Sequence, residues 1–248
     1  MGIRQGIYFR LVTQKLKSMD KNKHHIVFLT GAGISQESGI STFRDANGLW
    51  NNHKIEEVAS PEGFEKNPQL VLDFYNARRR QLDEVVPNEA HHLIAQLENK
   101  YNVTVMTQNI DDLHERAGST NVLHLHGELK KSRSSKNPNL IYDCNQDIKL
   151  GDLASDGSQV RPHIVWFGEA VTKIEKAIEI TQSADLFAIV GTSMVVHPAA
   201  SLLLAVPVDV QTVYIDTNPD VEEGINLLVI KEKATAGVRI LVEECLPQ

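Results

Sequence analysis

The chain has 248 residues, 42% of them hydrophobic, which is enough for one large domain with a sizeable core and at most a small insert. Its formal net charge of -7 argues against a protein that grips nucleic acid, because phosphate binding needs clustered Lys and Arg. Only two cysteines are present, Cys144 and Cys245; they are too few for a disulfide framework or a four-thiolate zinc site, and they fit a reducing, cytoplasmic setting.

Residues 1–24 read as an N-terminal extension of peripheral role, with basic residues but without the sustained apolar core of a signal peptide. No apolar run reaches the length of a membrane span, so no membrane partner is expected. His25–Thr30 (HIVFLT) is a short apolar run that stops at glycines, the pattern of a buried strand. Residues 68–82 and 88–100 carry helical spacing, with Pro87-Asn88 as a start signal for the second. Asn102–Thr107 (NVTVMT) is β-branched and reads as a strand. Residues 130–159 are rich in Ser, Asn, Asp, Lys and Gly, with one apolar patch at Leu140–Tyr142, and read as a small insert. Beyond it, 185–191, 210–216 and 227–231 look like strands, and 174–182, 198–206 and 237–246 look helical. Strands alternating with helices predict an α/β fold: a Rossmann-like parallel sheet with helices on both faces, plus a smaller inserted module at about 130–160. In such sheets ligands bind beyond the carboxyl ends of the strands.

The chemistry-bearing residues do follow the strands. Gly31, Ala32, Gly33 and Ser35 come directly after the first one; glycines there let a backbone approach a pyrophosphate closely, although a tight strand-to-helix turn needs them too, and the G-x-G-x-x-G spacing is absent. Phe43 and Arg44 follow, a ring able to shield a reactive carbon and a guanidinium able to pair with a phosphate. After NVTVM comes Gln108-Asn109-Ile110-Asp111. Its Asn and Asp could cap the next helix. Equally, Asp111 and neighbouring backbone groups could satisfy a carboxamide, and Asn109 a ribose hydroxyl or a water. Then comes His124-Leu125-His126-Gly127. Alternation would put both imidazoles on one side of a strand, and an imidazole titrates where a general base is useful; no third metal ligand is evident nearby.

Taken together, GAGISQESGISTFR, TQNIDDLHERAG, HLHGEL, RPHIVWFGE and the GTS at 191–193 resemble the sirtuin family, in family order over most of residues 25–240. The resemblance implies a catalytic domain over 25–248 that uses NAD as co-substrate to remove acyl groups from protein lysines. On it, Gly31, Ala32, Gly33 and Ser35 hold the pyrophosphate, Phe43 and Arg44 belong to a cofactor loop, and Gln108, Asn109, Ile110 and Asp111 line the ribose and nicotinamide pocket. His126 is the general base; Gly191, Thr192, Ser193, Asp216, Thr217, Asn218 and Ala234 complete the cofactor contacts. Val165, Phe167 and Gly168 belong to a strand that pairs with the substrate backbone. The implied mechanism releases nicotinamide as the acyl oxygen attacks the ribose, and yields lysine and O-acyl-ADP-ribose.

Two departures matter. Family members commonly carry two Cys-x-x-Cys pairs after HGEL; here Ser134 stands where the first cysteine would fall and Cys144 is the only thiol nearby. Serine is a poor zinc ligand, so no zinc or other metal is expected, and Leu140, Ile141 and Tyr142 would have to help hold the module. The second departure is Tyr75 and Arg78, three apart on a predicted helix, which resemble the Tyr-x-x-Arg pair of desuccinylase-type sirtuins. A guanidinium and a phenol would bind the free carboxylate of a succinyl or malonyl group; an exposed basic helix face is the plainer alternative for Arg78-Arg79-Arg80. Acylated lysine side chains are thus the expected partners of a monomer. A mono-ADP-ribosyltransferase or NAD hydrolase on the same fold is the main rival, and an NAD-sensing binding module a more distant one.

Overall fold

The apolar runs of the sequence become the strands of one sheet. The computed structural model describes residues 10, 12–17, 24–40, 49–50, 53–193, 199–219, 221 and 223–247. In chain order the elements are β1 (His25–Thr30), α1 (Ala32–Gln36), the short strands β2 (Leu49–Trp50) and β3 (His53–Lys54), α2 (Ile55–Val58), α3 (Pro61–Lys66), α4 (Pro68–Glu84) and α5 (Glu89–Leu97). Next come β4 (Asn102–Thr107), α6 (Leu113–Ala117), β5 (Val122–His124), β6 (Gly127–Ser134), β7 (Ile141–Asp143) and β8 (Val160–Ile164). The chain closes with α7 (Ile174–Gln182), β9 (Leu186–Val190), a 3-10 helix (Ala199–Ala205), β10 (Gln211–Ile215), β11 (Leu227–Ile230), α8 (Ala234–Ile240) and a π turn (Leu241–Cys245).

Six strands pair in parallel in the order β11-β10-β9-β1-β4-β5. From β1 the chain first builds outward through β4 to β5, then returns to β9 on the other flank of β1. The order therefore reverses between β1 and β9, which puts a ligand crevice beyond their carboxyl ends. Alternate residues feed two apolar layers. Ile26, Phe28, Val103, Val105, Ala188 and Val213 face one, with α5 and α8; Val27, Leu29, Met106, Phe187, Ile189 and Tyr214 face the other, with α7 and the 3-10 helix. Burial on both faces is why these strands read as continuous apolar runs. Val12 and Leu16 of the N-terminal stretch 12–17 are also buried in the first layer. The helices start where the sequence signals them: Asn67 accepts from the Leu70 N–H ahead of Pro68, and Asn88 accepts from the Ala90 N–H while its own N–H donates to His91 Nδ1.

The smaller module is an antiparallel sheet, β7-β6-β8, joined to β5 by the two residues Leu125 and His126 alone. A third apolar cluster, with Tyr75, Leu129, Ile164 and Trp166, seats it against α2–α4. Several expectations need correction here. The VWFGE segment is not a strand: β8 ends at Ile164, and Gly168 takes a left-handed turn at φ 89°. Leu140–Tyr142 does not form an apolar anchor, since Ile141 is 44% exposed and Tyr142 bonds through its hydroxyl to Ser155. Within the helix expected over 198–206, Ala199–Ala205 is a 3-10 helix rather than an α-helix. Nor do the three arginines form one exposed face: Arg79 is buried, donating to the Leu129 carbonyl and to Asn76, while Arg80 pairs with Asp147 and Arg78 lies over the Phe74 ring.

Candidate active site

The crevice beyond β1 and β9 is built by a close approach of two backbones. The Gly31 N–H donates to the Val190 carbonyl and the Gly33 N–H to the Gly191 carbonyl, at 3.0 and 2.8 Å. A Cβ on Gly33 would sit 2.6 Å from Gly191 Cα, and one on Gly31 2.6 Å from Thr192 Cβ. The glycines of GAG are therefore required by the fold itself, whatever ligand lies above them. Gly33, Gly191, Asp216, Thr217 and Ala234 line one depression at this point, with Lys233 at its edge. Asn218 is drawn in by its N–H bond to Asp216, and Tyr214 donates its hydroxyl to the Thr192 carbonyl.

A hydrogen-bonded chain runs from this crevice to His126. Gln108 Nε2 donates to Thr192 Oγ1 at 3.0 Å. Asn109 Nδ2 donates to the Gly31 carbonyl and to Ser35 Oγ at 3.1 and 3.0 Å, and Ser35 Oγ donates to Asp111 at 2.9 Å. Burial raises the Asp111 carboxyl to about 6, against the opposing pull of the Leu113 N–H, the Ser35 hydroxyl and the charge of His124. His126 lies between the two sheets. Its Nδ1 is 3.1 Å from the Gln108 carbonyl, and its own carbonyl accepts from the Val165 N–H at 2.9 Å. A carbonyl only accepts, so Nδ1 carries the proton and Nε2 keeps the lone pair. Burial lowers the His126 pKa, with the Gln108 carbonyl opposing, which favours this neutral imidazole. A neutral, fixed, half-buried imidazole is suited to accept a proton.

The sequence-predicted residues thus fall into groups. Gly31, Ser35, Gln108, Asn109, Asp111, His126 and Thr192 are joined by hydrogen bonds; Ala32, on α1, and Ser193 and Ile110 flank them in sequence, and the Ile110 carbonyl accepts from the Leu129 N–H. Phe43 and Arg44 lie outside the described residues. Tyr75 and Arg78 share α4 but not an environment. The Tyr75 side chain is fully buried and its hydroxyl accepts from Trp166 Nε1 at 3.0 Å, whereas Arg78 is half-buried. Burial raises the Tyr75 pKa, which keeps it a phenol. The N–H groups of Val165, Trp166 and Phe167 are taken by His126, Glu169 and Ala59 respectively, so a peptide laid along this segment would have to pair with its carbonyls.

Three features were not read from the sequence. Glu169 gathers Arg133, Arg161 and the Trp166 N–H, and Arg161 lies 3.2 Å from the Trp166 ring centroid. His124 bonds the Asn109 carbonyl and Glu115. His91 and His114 meet edge to face, fully buried behind the crevice. Only the pairing of His124 with His126 by alternation offered a signal.

Residues 31–198 match the model of the Sir2 family. This chain belongs to the Sir2 family. Among its relatives, the Helicobacter pylori (strain ATCC 700392 / 26695) protein named NAD-dependent protein deacylase is 60% identical over 192 residues, 77% of this chain and 84% of its own length. A Bacteroides thetaiotaomicron protein of the same name is 51% identical over 230 residues, 90% of this chain and 98% of its own. A solved Sir2 homolog–NAD complex superimposes with a TM-score of 0.81 at 38% identity, covering 92% of this chain and 91% of the other. A Sir2 bound to 2'-O-acetyl-ADP-ribose, a deacetylated p53 peptide and the inhibitor EX-527 gives 0.72 at 32% identity over 88% of this chain and 93% of the other. The Sir2 fold, a Rossmann-like parallel sheet with a small antiparallel module, is that of this chain.

Proposed function

We propose that this Sir2 chain is an NAD-dependent protein lysine deacylase in which His126 is the general base, and that it accepts acyl groups ending in a carboxylate as well as acetyl. The observation that carries the reading is the chain of hydrogen bonds from the glycine crevice to Gln108, whose carbonyl takes the Nδ1 proton of His126 and so leaves the lone pair on Nε2. NAD would lie with its adenosine in the depression between Gly33 and Ala234, and its nicotinamide ribose over Asn109 and Asp111. When bound, it supplies an electrophilic ribose carbon and a nicotinamide leaving group. Asn109 and Ser35 hold Asp111 in place beside the carboxamide. His126 takes the proton of a ribose hydroxyl, and burial of the site keeps water from competing.

The acyl-lysine enters along Val165–Gly168, pairing with carbonyls there, and reaches inward between Phe167 and α4. Arg78 is the carboxylate reader on this proposal. It is half-buried on α4, burial lowers its pKa, and a guanidinium partly stripped of water matches a carboxylate with two parallel bonds. Tyr75, fully buried with its hydroxyl on Trp166, supports α4 from within and does not itself read the carboxylate, unlike the expectation for the pair.

The module is proposed to fold without zinc. Where the first zinc cysteine would fall, Ser134 Oγ donates to Asp156 at 2.7 Å and accepts the N–H groups of Lys136 and Asn137 at 3.0 and 2.8 Å. Ser158 Oγ bonds the other oxygen of Asp156 at 2.7 Å. These are hard oxygens already bonded to protein, which does not fit a zinc site built from thiolates and imidazoles. Among the described residues no three His, Cys, Asp or Glu side chains are grouped to hold a metal.

The deciding experiment incubates the protein with NAD and matched acetyl- and succinyl-lysine peptides, read by mass spectrometry, beside His126→Ala and Arg78→Met. His126→Ala should lose roughly 100- to 10,000-fold of both activities, the usual size of a general-base contribution. Arg78→Met should lose the succinyl activity and keep the acetyl one. NAD consumption with no peptide change, or with ADP-ribose added to protein, would replace the reading with a transferase or hydrolase.

A further inference from the structure

His124 makes two bonds that constrain it more tightly than the proposed mechanism requires. Its Nδ1 is 3.1 Å from the Asn109 carbonyl and its Nε2 is 2.7 Å from Glu115 Oε1. Both partners are acceptors, one a carbonyl and the other a carboxylate, so both ring nitrogens carry protons and the ring is an imidazolium. His126 has only the first of these arrangements, with Nδ1 on the Gln108 carbonyl. Two histidines one residue apart therefore hold two successive carbonyls of one loop, one ring neutral and the other charged.

That loop carries Asn109, whose side chain ties Gly31 to Ser35 and through Ser35 to Asp111. The charge on His124 also reaches Asp111 directly and offsets part of the penalty that burial imposes on that carboxylate. We propose that His124 is a positioning residue: clamped between Glu115 and Asn109, its imidazolium fixes the loop that cradles the NAD ribose, and its deprotonation weakens NAD capture on the alkaline side. The inference rests on the NAD-binding reading of this crevice.

The surroundings agree. Groups facing His124 are Glu115 and the buried, uncharged His114 from α6, Glu128 from β6, and Asp111 and the Asn109 carbonyl from the loop after β4. Burial opposes the charge, but the bond and charge of Glu115, then Glu128 and the Asn109 carbonyl, outweigh it and the pKa is raised. His126 moves the other way. A neutral base and a charged clamp with pKa values pushed apart give a bell-shaped profile, its acid limb from His126 and its alkaline limb from His124.

The test is a pH profile of kcat/KM for NAD, with an acyl peptide at saturation, in wild type, Glu115→Gln, His124→Leu and His124→Asn. Glu115→Gln keeps an acceptor at Nε2 and removes the charge that sustains the imidazolium. It should move the alkaline limb down by about one pH unit and leave the acid limb alone, a shift worth about tenfold at the pH of the limb. His124→Leu should raise KM for NAD about tenfold, the loss expected for one charge-assisted bond, and change KM for the peptide less than twofold. His124→Asn, whose amide can reach the Asn109 carbonyl, should recover part of that loss but not the alkaline limb.

Two measurements do not depend on turnover: NAD affinity by calorimetry, and the NMR titration of the His124 ring, assigned by its loss in His124→Leu. Wild-type His124 should hold both protons at pH 7 and release one at lower pH in Glu115→Gln. An unchanged alkaline limb in Glu115→Gln, a His124 ring neutral at pH 7, or unchanged NAD affinity in His124→Leu overturns the proposal. Should wild type leave every acyl peptide intact while binding NAD, the deacylase reading falls, and the clamp is then decided by the affinity and titration alone.

Discussion

The parallel sheet and the antiparallel module are held by different physics. The sheet is sandwiched between two apolar layers, so its stability scales with buried area and is indifferent to most charges. The module's main apolar support lies where β6 and β8 meet α2–α4, with Ile148 and Ala154 buried beyond it. Polar clusters do the rest: Ser134 with Asp156 and Ser158, and its neighbour Arg133 with Arg161 and Glu169. A small antiparallel sheet cannot bury enough apolar surface for two faces, and a relative with zinc would replace area with a metal. In this chain the same places are filled by hydrogen bonds. The proposed cofactor crevice thus sits on the part held by buried area, and the proposed substrate segment on the part held largely by polar bonds.

The largest test of this contrast is Glu169→Ala. It leaves Arg161 buried without its partner and frees the Trp166 N–H, which should cost roughly 3–5 kcal/mol. Hydrogen exchange should show the loss in β6, β8 and the Val165–Glu169 turn, with β1, β4 and β9 protected as before. Uniform loss across both sheets would end the distinction between the regions.

Acid should weaken both regions through buried imidazoles. His91 is pushed down to about 4 by burial, and His114 well below its ordinary value by burial and the neighbouring histidines. Their folded pKa values lie below the unfolded 6.5, so the unfolded state binds more protons and stability is lost as pH falls from 6.5. For His91 alone the loss at pH 5 is on the order of 2 kcal/mol. Asp111, raised to about 6, takes up a proton in the folded state and offsets part of it. Glu169 and Asp156 have lowered pKa values, so their contribution persists until pH falls below about 4, but His163 on β8 is pushed down to about 4, chiefly by burial, and weakens the module over the same window as His91. Thermal unfolding should therefore weaken between pH 7 and 5, with α5, α6 and β8 all losing protection; a melting temperature flat over that range contradicts the burial of these imidazoles.

The smallest effect is expected from Ser134→Ala, roughly 1–2 kcal/mol for two N–H groups left without an acceptor. It should loosen residues 134–158 only, and a metal chelator should change neither wild type nor variant. Loss of the wild-type melting transition on chelation would show a metal that the oxygen cluster does not account for.

What could be read from the sequence follows the same division. Strands β1 and β4 and helix α7 carry periodic or continuous apolar patterns and stand where those patterns put them. β6 and β8 were not legible: GELKKSRS and VRPHI are largely polar, with single apolar anchors such as Leu129 and Ile164 and otherwise hydrogen bonds and ion pairs to their neighbours. The VWFGE segment misled because β-forming side chains were judged without their N–H partners, and those point to His126, Glu169 and Ala59. His126 and Asn109 were legible through motif order. The Glu115–His124 clamp was not, since its members are nine residues apart on different elements and meet only when β5 lies beside α6.

One connection has a mechanical consequence. Only Leu125 and His126 join β5 to β6. The module also runs on through residues 165–173 to α7, and α4 grips it directly: Asn76 brackets the Ile148 backbone and Arg79 donates to the Leu129 carbonyl. Tied at three places, the module leaves the His126 ring fixed against the Gln108 carbonyl, so the proposed proton acceptor would be aimed before any substrate arrives.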